Sequence, residues 1–232
     1  MLNWFRKFSG KGLVGKAERL CICVPTNQDP KPGFSFSLDQ FFLALRQPDC
    51  PIATWDIAIV YGDGSVIHDS REKLAKGALD MNSTKVLFID DDMTFAPQTV
   101  YSLISRNKYF VACNYPRRKA PHHWVASRAD LKGLIATLPE STGLEPAHGL
   151  GFGMTLIDAK VFHAVPRPRF LPTWCENDGG FYVSEDVMFC RRATEAGFRP
   201  YVDHDASKLI GHCSERVLSY LDGRTLAEVP EV

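Results

Sequence analysis

Residues 86–95 read VLFIDDDMTF, an apolar run that ends in three consecutive acids. Adjacent carboxylates repel one another, so such a cluster is costly unless something gathers its charge. Asp90 and Asp92 are separated by one residue and, in extended chain, project to the same side. Two carboxylates converging where a buried strand ends suit a hard divalent cation. The end of a strand is also where open α/β sheets bind ligands. The plain structural alternative is a solvated turn in which Asp92 caps the next helix. Two further segments carry chemistry. PRRKAPHHW (116–124) and VPRPRFLPTW (165–174) place Arg117, Arg118, Lys119, His122, His123, Arg167 and Arg169 near aromatic residues. Basic and aromatic side chains mixed in loops suit phosphate backbones and unstacked bases. Trp174, Phe181 and Tyr182 could stack on a sugar or a base, or equally serve as core pieces.

The elements that must position these residues follow from the apolar pattern. RLCICVP (19–25), TWDIAIVYG (54–62), KVLFI (85–89) and KYFVACN (108–114) read as strands. The continuous apolar run of 85–89 suits a strand covered on both faces. HDSREKLAKGALD (68–80) reads as a helix, with Asp69 and Glu72 at capping-box spacing and Leu74 and Ala78 on one face. Pro97 opens a helical pattern through Ser105. SEDVMFCRRATEAGF (184–198) is a helix with Ser184 at the N-cap, acids in the first turn and Gly197 as the stop. HGLGFGMTLIDAKVF (148–162) sets three glycines before an apolar strand and a helix start. Strand–helix alternation predicts an α/β fold with a mixed, mostly parallel central sheet flanked by helices. The expected organisation is a tail over 1–18, one domain built of two halves over 19–115 and 116–215, and a tail over 216–232.

An apolar strand followed by D-x-D resembles the nucleotide-sugar motif of GT-A glycosyltransferases, especially the family 2 type. SED at 184–186 resembles the motif that carries the catalytic base in inverting members, and GHC at 211–213 the late His that completes the metal site. HGLGFGMTLI is similar to the glycine-bearing segment that lines the donor and acceptor pockets. DSREKLAKGAL is similar to the helix whose early Arg reaches the nucleotide, although Glu72 stands where an Asn often follows that Arg. Small phage-encoded glycosyltransferases resemble the chain over roughly residues 19–215. The resemblance implies Asp92 and His212 as metal ligands, with Asp90 on the metal or the ribose hydroxyls and Asp91 turned toward structure. It implies Mn²⁺ or Mg²⁺, a mixed Asp/His set tilting the choice toward Mn²⁺. Asp186 is the implied base, with Glu185 as its neighbour or substitute. Pro25, Thr26, Asp63, Arg71, Asp90, Asp91, Gly151 and Gly153 would bind a nucleotide-sugar donor, most commonly a UDP-sugar. Arg117, Arg118 and Trp174 would bind the acceptor. A hydroxymethylated DNA base is the acceptor that phage enzymes suggest; a glycan, lipid or protein acceptor is the alternative.

Bulk properties bound the reading. Lys+Arg and Asp+Glu balance at 27 each, which argues against a protein whose main task is coating nucleic acid or anionic membrane. The seven cysteines include no C-x-x-C pair and several lie in apolar runs, predicting reduced thiols in a cytoplasmic protein. Cys190, His204, His212 and Cys213 lack standard zinc spacing. No apolar stretch approaches the roughly 20 residues of a membrane span. The basic, aromatic N-terminus reads as a tail or a docking segment, and no obligate protein partner is implied. FIDDDMT also fits the signature of haloacid-dehalogenase-like phosphatases. That motif normally follows a first strand, whereas two strands are expected before this one. A nucleotidyltransferase would need an early glycine-rich phosphate loop, which is absent. A non-catalytic module would have no reason to keep every acid of the set.

Overall fold

The computed structural model describes residues 18–26, 29–176, 180–214 and 217–223, together with the backbone of 6–8. Its strands are β1 (Arg6–Phe8), β2 (Arg19–Thr26), β3 (Asp56–Asp63), β4 (Lys85–Ile89), β5 (Met93–Phe95), β6 (Phe110–Ala112), β7 (Ser127–Arg128), β8 (Leu144–Gly149), β9 (Met154–Asp158), β10 (Thr173–Cys175), β11 (Phe181–Val183), β12 (Tyr201–Asp203), β13 (Ile210–Cys213) and β14 (Val217–Leu218). The helices are α1 (Pro32–Ala44), α2 (Ile67–Asp80), α3 (Pro97–Ser105), α4 (Ala159–Ala164), α5 (Glu185–Glu195) and α6 (His204–Ser207).

Among the described residues a nine-stranded sheet runs in the order β1-β3-β2-β4-β9-β6-β12-β8-β7. The pairs β2/β3, β2/β4 and β6/β12 are parallel. The pairs β1/β3, β4/β9, β6/β9, β8/β12 and β7/β8 are antiparallel. The sheet is therefore mixed but not mostly parallel, which corrects the expectation. Helical crossovers α1 and α2 join β2, β3 and β4, and that part is parallel as βαβ units require. Beyond residue 112, β7, β8 and β9 are linked by loops, so nothing forces their strands into the same direction. β9 inserts antiparallel between β4 and β6, so both expected halves contribute to one sheet. Arg6–Phe8 adds an edge strand to β3, as a docking segment would.

Strand alternation divides the core into two layers. Leu20, Ile22 and Val24 of β2 face one side with Leu87 and Ile89 of β4, packed by Phe34, Leu38 and Phe41 of α1 and by Val100 and Leu103 of α3. Cys21, Cys23, Val86 and Phe88 face the other, against Leu74, Ala75 and Ala78 of α2 and Phe189 and Ala193 of α5. The second layer is rich in phenylalanine: Phe170 stacks on Phe189 at 4.6 Å, and Phe152 meets both rings edge-on. Each such ring contributes about 2–3 kcal/mol on burial. Two local expectations change. α2 begins at Ile67 with Val66 at its N-cap and no side-chain cap. Asp69 pairs with Lys73 and Glu72 turns toward the 165–170 loop, so no capping box forms. Ser184 does occupy the N-cap of α5, but its hydroxyl donates to Asp186 instead of accepting from the helix. Gly197 ends that helix at φ +89° as read. All seven cysteines are free, and no helix among the described residues is long and apolar enough to cross a membrane.

Candidate functional site

The three acids leave β4 in a turn whose carbonyls are each held by a different segment. The Asp90 carbonyl accepts from Met93 N–H at 3.1 Å, that of Asp91 from Lys31 N–H at 2.9 Å and that of Asp92 from Cys213 N–H at 2.8 Å. Asp90 N–H in turn donates to Gly153 O at 3.1 Å. With the backbone fixed on every side, the three side chains are aimed in separate directions. β5 continues from the turn and pairs antiparallel with β13, placing His212 opposite Met93. A cleft of about 360 Å³ opens over the turn, lined by Pro25, Thr26, Gly64, Ser65, Ile67, Ser70, Asp90, Asp91, Asp92, Arg118 and His212. It lies beyond the carboxyl ends of β2, β3 and β4, where sheets of this kind hold ligands.

Each acid has a different partner. Asp92 is buried, with its Oδ2 2.9 Å from Arg118 Nη1 and 3.5 Å from His212 Nε2. Burial alone would raise its pKa, but the His212 contact and the Arg118 charge outweigh it and hold the carboxyl below the usual range. Asp91 accepts from Thr26 Oγ1 at 2.5 Å. Its pKa is pushed up, first by burial and then by the neighbouring acids. Asp90 receives Arg71 Nη2 at 3.1 Å. Arg71 is buried and its other arm, Nη1, donates to Glu185 at the start of α5. Its Cζ lies 5.2 Å from the Phe152 ring centroid, and its Nε has no partner among the described residues. One guanidinium thus spans from the acid turn to the first turn of α5. Glu185 is pushed up in pKa, chiefly by burial and against the pull of Arg71. Asp186, half-buried beside it, accepts on Oδ1 from the Ser184 hydroxyl and from Val187 N–H, and among the described residues its Oδ2 has no hydrogen bond.

The donor set resolves unevenly. Thr26, Pro25, Asp90 and Asp91 line the cleft together. Asp63 ends β3 beside Thr26 in register, and its side chain lies outside the described residues. Gly151 and Gly153 are buried, and their close approach is to Tyr115: a Cβ on either would stand 2.6 Å from atoms of that phenol. Gly153 N–H donates to the Tyr115 hydroxyl at 2.8 Å. Tyr115 also packs edge-on against His212 at 5.2 Å. It escaped the sequence reading, although a Tyr-Pro pair directly after an apolar strand was a signal that the chain turns there with its ring still inside. The acceptor set is dispersed. Arg118 lies on Asp92, while Arg117 beside it in the same loop is exposed. Trp174 is half-exposed on the β10/β11 hairpin, edge-on to Tyr182. Arg167 and Arg169 are spent on Glu72, each 2.7 Å from Oε1, so neither offers a free charge to a phosphate. Thr94 sits in β5 and donates to Gly211 O at 3.3 Å.

Among the described residues no three His, Cys, Asp or Glu side chains stand together in ligating geometry. Part of the set nevertheless fits a cation. His212 Nδ1 lies 2.9 Å from Pro116 O, which accepts its N–H and leaves the Nε2 lone pair facing Asp92 Oδ2. Two acceptors so placed need a proton or a cation between them. Asp92 and His212 therefore fit the metal role, while Asp90 is engaged by Arg71.

No family model and no curated protein sequence matches the chain. Similarity appears at the level of structure, where 134 chains of solved structures match. The crystal structure of A197 from STIV superposes with a TM-score of 0.57 at 18% identity, covering 92% of this chain and 96% of that one. The fold is thereby shared across nearly the whole of both chains.

Proposed function

We propose that the chain is a metal-dependent glycosyltransferase of GT-A type, moving a sugar from a nucleoside-diphosphate donor to an acceptor hydroxyl. The observation that carries the reading is the joining of two acid groups by one buried arginine. Asp90–Asp92 at the rim of β4 and Glu185–Asp186 at the head of α5 are held together through Arg71. Thr26, Pro25 and the 64–70 segment form the donor side of the cleft. Asp92 and His212 would hold Mn²⁺ or Mg²⁺, with phosphate oxygens completing the shell, since such ions need only one or two protein ligands beside a diphosphate. Bound there, the ion supplies Lewis-acid stabilisation of the departing diphosphate.

Asp186 Oδ2 is the free basic atom of the pair. It takes the proton of the acceptor hydroxyl as that oxygen bonds to the anomeric carbon and the diphosphate oxygen leaves from the opposite face, so configuration inverts. The N–H of Val187 and the hydroxyl of Ser184, both on Oδ1, fix the carboxylate plane for that transfer.

Thermal unfolding tests the reading directly. Mn²⁺ with UDP should raise the melting temperature by several degrees, because a ligand that binds only the native state stabilises it. Asp92→Asn should remove the metal-dependent part of the shift. No shift with any nucleoside diphosphate, with or without metal, would overturn the assignment. Magnesium-dependent hydrolysis of a generic phosphoester that is lost in Asp90→Asn would replace it with a phosphatase.

A further inference from the structure

The two arginines on the acid turn are held in opposite ways. Arg71 is 5% exposed in its side chain and is locked between Asp90 and Glu185. Arg118 is 54% exposed in its side chain and pairs with Asp92 at 2.9 Å. Its partner cannot follow it outward, because the Asp92 side chain is 11% exposed and its backbone is tied to Cys213. Both Arg118 and His212 converge on the same atom, Asp92 Oδ2. A divalent cation taken up by Asp92 and His212 would meet the guanidinium as a like charge on a shared oxygen, and that repulsion weakens the hold of Asp92 on Arg118.

Resting on the reading of the cleft as a metal and diphosphate site, we propose that Arg118 is an exchangeable counter-cation. It neutralises Asp92 until a divalent ion arrives, and then turns to the donor diphosphate. The loop is built for that exchange. Its root is fixed by the Pro116–Trp124 bridge and by Arg117 N–H donating to His123 O at 2.8 Å. Pro116 O accepts the His212 N–H from that same root, so the ligand histidine keeps its tautomer while the Arg118 side chain moves. The exposed guanidinium needs only side-chain rotation to face the cleft that it already lines. Linkage follows from the competition. The ion frees Arg118 for phosphate and phosphate draws Arg118 off Asp92, so metal and nucleotide tighten each other by the same factor. The metal then loads with the donor instead of ahead of it.

Manganese titration followed by the paramagnetic signal of the free ion, with and without UDP, reads this out independently of turnover. In the wild-type protein UDP should tighten Mn²⁺ binding by about tenfold. Arg118→Ala should bind Mn²⁺ alone about two- to fivefold more tightly than wild type, as expected from removing a competing partly exposed ion pair. It should also show a smaller tightening by UDP than wild type, what remains being the direct contact of phosphate with the ion. Lys119→Ala removes the same unit of charge from the same loop and should leave the Mn²⁺ affinity near wild type. Equal affinities in Arg118→Ala and Lys119→Ala would overturn the exchange while leaving the site itself standing. Absence of Mn²⁺ binding in every protein, with or without UDP, would remove both.

Discussion

At the level of single residues, Glu185 and Asp186 are adjacent acids with different surroundings. The Glu185 side chain is 12% exposed and paired with Arg71, so its carboxylate is committed to holding two segments together. Asp186 has one oxygen fixed by Ser184 and Val187 and the other without a hydrogen bond among the described residues. Asp186→Asn should lower kcat by about 10²–10⁴-fold, the usual contribution of a positioned base, with UDP affinity unchanged. Glu185→Gln should instead weaken UDP binding and stability together, because Arg71 loses a buried partner. Kinetics that kept kcat in Asp186→Asn and lost it in Glu185→Gln would exchange the two roles.

At the level of elements, Glu72 shows what a helix-start acid does when tertiary contacts claim it. The residue receives Arg167 Nε, Arg169 Nη1 and Arg169 N–H, pinning α2 to the loop that leads to the β10/β11 hairpin. Burial alone would raise its pKa, but the Arg169 N–H and the two guanidinium groups outweigh it and lower the value. A lowered folded-state pKa stabilises the protein above the unfolded value of about 4.3, and that contribution disappears as pH falls through the folded value. Glu72→Gln should cost roughly 2 kcal/mol at pH 7, and the gap from wild type should narrow as pH falls from about 4.3 through the folded value. Denaturant unfolding at several pH values checks this; a gap independent of pH would show that the charge is not what braces the loop.

These cases mark what could be read in advance. The span of β4, the helix opened by Pro97 and the stop at Gly197 follow from local rules, and all three agree with the structure. The acid turn was visible because three like charges after a buried strand have few other uses. Strand direction was not visible, since nothing local states that β9 enters between β4 and β6. The Arg71 bridge joins residues 19 and 114 positions apart, and spacing carries no such information. α1 was missed altogether; Lys31, at its N-cap, donates no side-chain cap, and its apolar residues Phe34, Leu38 and Phe41 are mixed with serines.

At the level of the whole molecule, the proposed transfer would require the acceptor to reach Asp186 past a surface that is aromatic more than basic. Trp174, Phe181 and Tyr182 are exposed on the β10/β11 hairpin that runs directly into α5. With Arg167 and Arg169 spent on Glu72, Arg117 and Lys119 are the exposed cations left on the two basic loops once Arg118 serves the donor. A net charge of zero adds no long-range attraction for a polyanion. If a hydroxymethylated base in DNA is the acceptor, recognition must rest on stacking, because two phosphate contacts give a log–log salt slope of only about −1.4 on single strands. Stacking on exposed aromatics contributes about 1–3 kcal/mol per base. Incubation with hydroxymethylated and plain DNA and a panel of nucleotide-sugar donors, followed by digestion and weighing of the nucleosides, should show one added sugar on the hydroxymethylated base alone. Trp174→Ala should reduce that transfer about tenfold through KM while sparing UDP binding. A binding slope steeper than about −3 would mean that phosphates dominate and that the aromatic hairpin is not the platform. No mass gain with any donor would turn the same hairpin, which suits a sugar ring as well as a base, toward a glycan acceptor.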